Sequence, residues 1–220
     1  MLFRSIGVPP RLRLHHETPP FAEHGEVAGG GLGTDGHARD GASLEWLGRT
    51  GLPFRFQAIG WKPDLVTVGK ALGGGVPVGA ALLSERVAKA ISYGDHGSTY
   101  GGNLLACRAA VFVLEQLMEH GLIDHVQTVG THMERRLRAL ALKYPVITEV
   151  RGAGVMWGLQ LAVDALPYVD GARERGLLVN RTDEKVIRML PALNVAAADI
   201  NAAIDVLDGV FATVGAGVPA

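Results

Sequence analysis

The stretch that most constrains this chain spans residues 62–79, K-P-D-L-V-T-V-G-K-A-L-G-G-G-V-P-V-G. Leu65 to Val68 is a short apolar run with the length and residue types of a buried strand. It stops at Gly69-Lys70, and three consecutive glycines, Gly73 to Gly75, follow almost at once. An amine at the mouth of a buried strand costs desolvation energy unless its charge has a task or a partner. Glycines beside it let backbone or a bulky ligand approach closely. A partly desolvated lysine suits Schiff-base chemistry. A strand-end lysine snorkelling to water beside a flexible turn has the same local spelling. These residues alone leave both readings open.

Composition removes several classes of function. With 220 residues there is length for one large domain or two small ones. A net charge of −1 gives no electrostatic footprint for nucleic acid. A single cysteine, Cys107, rules out an internal disulfide framework and fits a reducing compartment. No uninterrupted apolar run approaches the ~20 residues that cross a bilayer. The opening M-L-F-R-S-I-G-V-P-P is a poor signal peptide. A cytoplasmic protein without nucleic-acid or membrane partners is expected.

Residues 1–45 differ in kind from the rest. They hold four of the eight histidines, four of the eleven prolines and eight of the thirty glycines, without sustained helical or strand periodicity. An irregular or disordered segment is expected there. Gly31-Leu32-Gly33-Thr34-Asp35-Gly36 spells the dinucleotide fingerprint but lacks the preceding strand and following helix that give it meaning. His15-His16-Glu17 has no further ligands at metal spacing. From Leu47 the pattern turns globular. Gly79 to Leu83 reads as a second buried strand and Ser84 as a helix cap. Asn103 caps a helix through Glu119 with Leu105, Ala109, Val113, Leu114 and Leu117 on its apolar face. A second helix follows Gly121 and runs to about Leu142. Tyr144-Pro145 marks a boundary, giving 46–143 and 144–220 as the two folded portions. Beyond it, strands are expected around R-G-A-G, over 176–180 and over 186–190, then a helix over 198–214.

The 62–79 segment resembles the cofactor-lysine motif of class III aminotransferases. Gly48-Arg49-Thr50-Gly51 stands upstream of it, His96 to Asn103 (H-G-S-T-Y-G-G-N) follows it, and Val150 to Gly154 (V-R-G-A-G) and Val186 to Pro191 (V-I-R-M-L-P) come later. That order is far more specific than any one motif, and it covers the chain from about Leu47 to its end. The resemblance implies an α/β fragment of a fold-type I transferase: part of the large parallel-sheet domain plus the small C-terminal α+β domain. It implies pyridoxal 5'-phosphate as cofactor and Lys70 as its covalent anchor and general base. By the same resemblance Thr99 contacts the cofactor phosphate from a partner subunit, Ser98 is a substrate-contacting neighbour, and Arg188 grips the substrate α-carboxylate. A homodimer with shared active sites follows. The bare residues also allow an ordinary Ser/Thr-Gly turn at Ser98-Thr99 and a structural ion pair at Arg188. Arg151 is expected to brace the R-G-A-G turn, and His96 is given no catalytic role.

One departure matters. The family carries D-E-[VI]-Q a fixed distance before G-R-T-G, its aspartate pairing with the cofactor's ring nitrogen. Counted back from Gly48, that aspartate falls on Gly41 and the glutamine on Leu44. Asp40 is one residue out, and a one-residue slip along a strand turns a side chain to the opposite face. We expect that the gene is frame-disrupted or truncated and that residues 1–45 are wrong-frame translation. An intact frame in independent reads, with no family-like sequence upstream, would overturn this. Two functions follow. One is transamination of an N-acetylornithine-type donor with 2-oxoglutarate, with ornithine, succinyl-ornithine or 4-aminobutyrate as alternative donors. The other is a catalytically inactive remnant, which is expected for this polypeptide alone, with apolar surface left exposed.

Overall fold

A computed structural model describes residues 43–44 and 47–214. Leu65–Val68 forms strand β2, but it is half-buried: Val66 and Val68 point into a small core while Leu65 and Thr67 alternate outward. Ser43–Leu44 (β1) pairs parallel to it, with Ser43 opposite Val66. These two residues therefore lie in a strand, although the sequence puts them in the irregular leader. The fingerprint-like glycines, the His15-His16-Glu17 cluster, Asp40 and Gly41 lie outside the described residues.

Ala80–Leu83 (β3) pairs antiparallel to β2, so this sheet is mixed, in the order β1-β2-β3. The expected burial of β3 is corrected: Ala80, Ala81 and Leu82 are exposed. The strand is an edge, and apolar composition buries a strand only where another layer covers it.

Asp64 ties this edge to the short helix α1 (Glu85–Ala88). Its carboxylate accepts hydrogen bonds from Ser84 Oγ at 2.5 Å and Arg86 Nη2 at 2.5 Å, and Ser84 Oγ in turn caps α1 by accepting from Val87 N. The Arg86 hydrogen bond, then that of Ser84, holds the Asp64 pKa below its ordinary value of 3.8. A carboxylate depressed in the folded state stabilises it above the ordinary pKa, and this is lost as pH falls through the lower folded value. Asp64→Asn is therefore expected to flatten the acid limb of the melting temperature below about pH 4. Superimposable acid limbs would contradict it.

Asn103 caps the long helix α2 (Leu104–Met118), its Oδ1 accepting from Ala106 N at 3.0 Å. Leu117 is buried against Leu47, Val66, Val68 and Leu72. The rest of the expected apolar face is uneven, because Leu105 is 71% and Leu114 37% exposed. Gly121 then starts α3 (Leu122–Lys143), whose Val126, Val129, Met133, Leu137 and Leu140 recur at helical spacing and are buried.

That face packs on an antiparallel sheet of four strands: β4 (Ile147–Ala153), β5 (Met156–Leu161), β6 (Asn180–Asp183) and β7 (Val186–Met189), in the order β4-β5-β7-β6. Helices α4 (Leu166–Glu174) and α5 (Ala197–Val214) complete the layer. Trp157, Leu159 and Leu161 of β5 and Ile187 and Met189 of β7 face the helices, where Phe211 stacks on Tyr144 and meets Tyr168 at a tilt. Period-two alternation puts Met156, Gly158, Gln160, Val186 and Arg188 on the opposite face.

The strand expected over 176–180 is corrected as well, since pairing begins only at Asn180. Gly176, at φ +80°, closes α4. Its N–H bonds to Arg173 O, and Leu177 N–H bonds to Ala172 O at 2.9 Å. This double closure uses the amides that a strand would need.

Candidate active site

Lys70 follows the end of β2 through Gly69 and opens a 3-10 turn over Lys70–Gly73. Leu72 and Gly73 are buried there, and a Cβ at Gly74 would sit 3.3 Å from Val113 of α2, so the glycine turn is seated on that helix. Among the described residues Lys70 is the one non-glycine with positive φ, at 48°. Such backbone costs an L-residue on the order of 1–2 kcal/mol. Strain of this kind persists where surrounding structure enforces it, and it clusters at functional sites. Of the two surroundings its spelling left open, Lys70 has the solvent-exposed one. The turn follows the end of a half-buried strand, with Leu72 and Gly73 buried and Lys70 not.

Ser98 and Thr99 lie on the loop before α2 and are exposed. Gly101 N donates to Ser98 O at 3.3 Å and Asn103 N to Tyr100 O at 3.1 Å, which folds the loop back onto the cap of α2. Neither hydroxyl makes a hydrogen bond within the described residues. A shallow groove of about 450 Å³ lies nearby, between Gly73-Gly74 and the Leu105–Val113 stretch of α2, but none of the four candidate residues lines it.

Arg188 sits in β7, opposite Gly158 of β5 on one side and Asn180 of β6 on the other. Its Nε is buried without a hydrogen-bond partner. A guanidinium N–H left in that state is costly and marks a place for an anion. Arg151, one strand further, is committed: its guanidinium donates to Glu149 at 2.8 Å and to Gln160 at 3.1 Å, bracing the β4–β5 hairpin.

The G-R-T-G loop links the lysine and arginine strands, a joint that sequence reasoning did not foresee. Leu47, just before the loop, packs with Val66 and Val68 of β2. Arg49 Nη1 donates to Pro191 O at 2.5 Å, just past the end of β7, and Arg49 O accepts from Val155 N at 3.0 Å. Burial holds the Arg49 pKa below that of a free guanidinium. Gln127 of α3 closes the far side by donating to Gly51 O at 2.7 Å. The signal available beforehand was two glycine-rich motifs, each too glycine-dense for an ordinary turn.

The class III aminotransferase family pattern matches residues 46–211. The chain belongs to that family. Similar proteins include an acetylornithine aminotransferase from Methanocaldococcus jannaschii, 47% identical over 165 residues, and one from Aquifex aeolicus, 43% identical over 161 residues. These alignments take in 75% and 73% of this chain but only 42% and 41% of the relatives. The chain thus spans less than half the length of the relatives it matches. Among solved structures, an acetylornithine aminotransferase from Elizabethkingia anophelis aligns with a TM-score of 0.69 at 28% identity, covering 76% of this chain and 43% of that one. An S-selective transaminase from Arthrobacter sp. aligns at 0.73 and 26%, covering 78% and 43%. The expected fragment of a fold-type I transferase is borne out.

Class III aminotransferases use pyridoxal phosphate. The residues present suit that cofactor and an amino acid substrate: a strained lysine on a glycine turn, two uncommitted hydroxyls, and an arginine N–H lacking an anion. At the position counted for the ring-nitrogen aspartate the sequence has Gly41, outside the described residues, while Leu44 is in β1. Among the described residues no helix is long and apolar enough to cross a membrane, and no cluster fit to hold a metal ion occurs.

Proposed function

We propose that this chain carries the lysine, phosphate-donor and carboxylate-binding groups of a pyridoxal-phosphate aminotransferase. It would act between an N-acetylornithine-type amine donor and 2-oxoglutarate. The observation that carries the reading is Lys70: a strained, solvent-facing amine at the end of β2, on the glycine turn. When bound, the cofactor supplies the electron sink for charge left on the substrate's α carbon. Lys70 Nζ would hold the cofactor, and its amine would take the proton from that carbon. Thr99 and Ser98 donate hydroxyl hydrogen bonds to phosphate and substrate, and Arg188 pairs its fork with the α-carboxylate. The donor class rests on the acetylornithine aminotransferases among the relatives. Ornithine, succinyl-ornithine and 4-aminobutyrate are the alternatives. The reading also carries a homodimer with shared sites, a cytoplasmic location, and a division of the folded part near Tyr144, with α3 bridging the two portions.

The test begins with the purified chain and pyridoxal phosphate, followed by borohydride reduction and peptide mapping. Label concentrated on Lys70, and suppressed by prior addition of an amino donor, is the expected result. Label scattered over Lys62, Lys89, Lys143 and Lys185, or none, would overturn the reading and favour the inactive remnant.

A further inference from the structure

Gly158 occupies the middle of β5, an inner strand, where a glycine forgoes side-chain packing and weakens the strand. The neighbouring glycines have reasons in the fold. A Cβ at Gly152 would collide with Met156 O, one at Gly154 with Arg49 O, and one at Gly130 would lie 2.5 Å from Gly154 O. Gly158 has no such reason. A Cβ there would meet nothing nearer than Val186 Cγ1 at 3.7 Å, an ordinary van der Waals distance, and its φ is not left-handed. The position is partly open to solvent. It also falls in a cross-strand row, Arg151–Gly158–Arg188–Asn180. Arg151 is occupied by Glu149 and Gln160, whereas the buried Nε of Arg188 has no partner.

We propose that Gly158 is a specificity-determining position, keeping the sheet face beside Arg188 bare so that the carboxylate end of an amino or 2-oxo acid lies flat against β5. This rests on the reading of Arg188 as the carboxylate anchor. A methyl group at 158 fills the space through which that carboxylate reaches the guanidinium, without disturbing the sheet.

The experiment titrates 2-oxoglutarate calorimetrically into the full chain, into Gly158→Ala, Gly158→Val and Arg188→Leu, with melting temperatures for each. The expected result is a Gly158→Ala melting temperature equal to or above that of the parent, with affinity at least tenfold weaker. Gly158→Val and Arg188→Leu show no measurable binding. Parent-like affinity in both Gly158 variants, with binding lost in Arg188→Leu, overturns the role of Gly158 and leaves the Arg188 reading standing. No binding by the parent chain overturns both. Loss of the fold in Gly158→Ala overturns it too, because the inference stands on the glycine being dispensable to the fold.

Discussion

Alanine at Gly154 is expected to lower the unfolding free energy by ~2–5 kcal/mol, the sum of left-handed backbone strain and forced overpacking. The residue has φ +55°, and a Cβ would run into Arg49 O and the Thr50 backbone. Both obstacles are main chain, so no rotamer change relieves them. The same shift would pull Arg49 O from Val155 N and loosen the turn whose carbonyl accepts from Trp157 Nε1 at 2.7 Å. Against a total stability of about 5–15 kcal/mol, that is a large fraction of the whole. Gly130 is the counterpart on α3. Alanine there gains about 1 kcal/mol of helix propensity. Overpacking against Gly154 O costs ~1–3 kcal/mol, so the net sign is destabilising. Urea titration of the two single variants and the double variant is the measurement. Because the Gly130 methyl presses on the Gly154 backbone and the Gly154 methyl on the Arg49–Thr50 backbone, the two sites share Gly154 and their costs should not add. A Gly154→Ala loss below about 1 kcal/mol would show that the joint yields, against the tight packing argued for it.

The second large effect is at Lys70, where stability and chemistry are expected to move in opposite directions. Lys70→Gly releases ~1–2 kcal/mol of left-handed strain. It gives back ~0.5–1 kcal/mol through the glycine's freedom in the unfolded chain. A net gain of ~0–1.5 kcal/mol remains, with complete loss of borohydride-trapped label at this turn. Lys70→Arg keeps the charge and the strain, but its guanidinium stays protonated and is no nucleophile. It is expected to match the parent in melting temperature and to take up no label. The discriminating comparison is therefore melting temperature against label for the three chains. A Lys70→Gly chain less stable than the parent would mean that the φ of 48° is not strain stored at a functional residue, and the argument from that outlier would fail.

Much of the helical architecture was legible beforehand. The Asn103 and Ser84 caps lie where short polar side chains precede apolar periodicity, and both make the predicted bonds to backbone amides. The buried faces of α3 and α5 follow from local spacing alone. Misreadings came where a neighbour decided. Ala80 to Leu82 is apolar yet exposed, because it is on an edge with no layer described over it. Leu177 to Val179 has strand composition, but the closure of α4 at Gly176 takes the amide of Leu177. Lys70 could be partly desolvated or open to water by its local spelling, and its exposure was decided by what surrounds the turn in space.

From the residues and their order came the family resemblance, the lysine at a strand end, the caps and the helices they start. Each of these is written in short-range spacing, which local sterics and hydrogen bonding translate directly. Tertiary structure alone decided that G-R-T-G and R-G-A-G interlock through Gly130, Gly154 and Arg49. It also decided that Arg188 keeps an unpartnered buried N–H beside Gly158 while Arg151 does not. Those relations join residues up to 142 positions apart, as Arg49 and Pro191 are. They exist only after the strands have chosen their register, a choice made by burial across the whole sheet rather than by any local run of side chains.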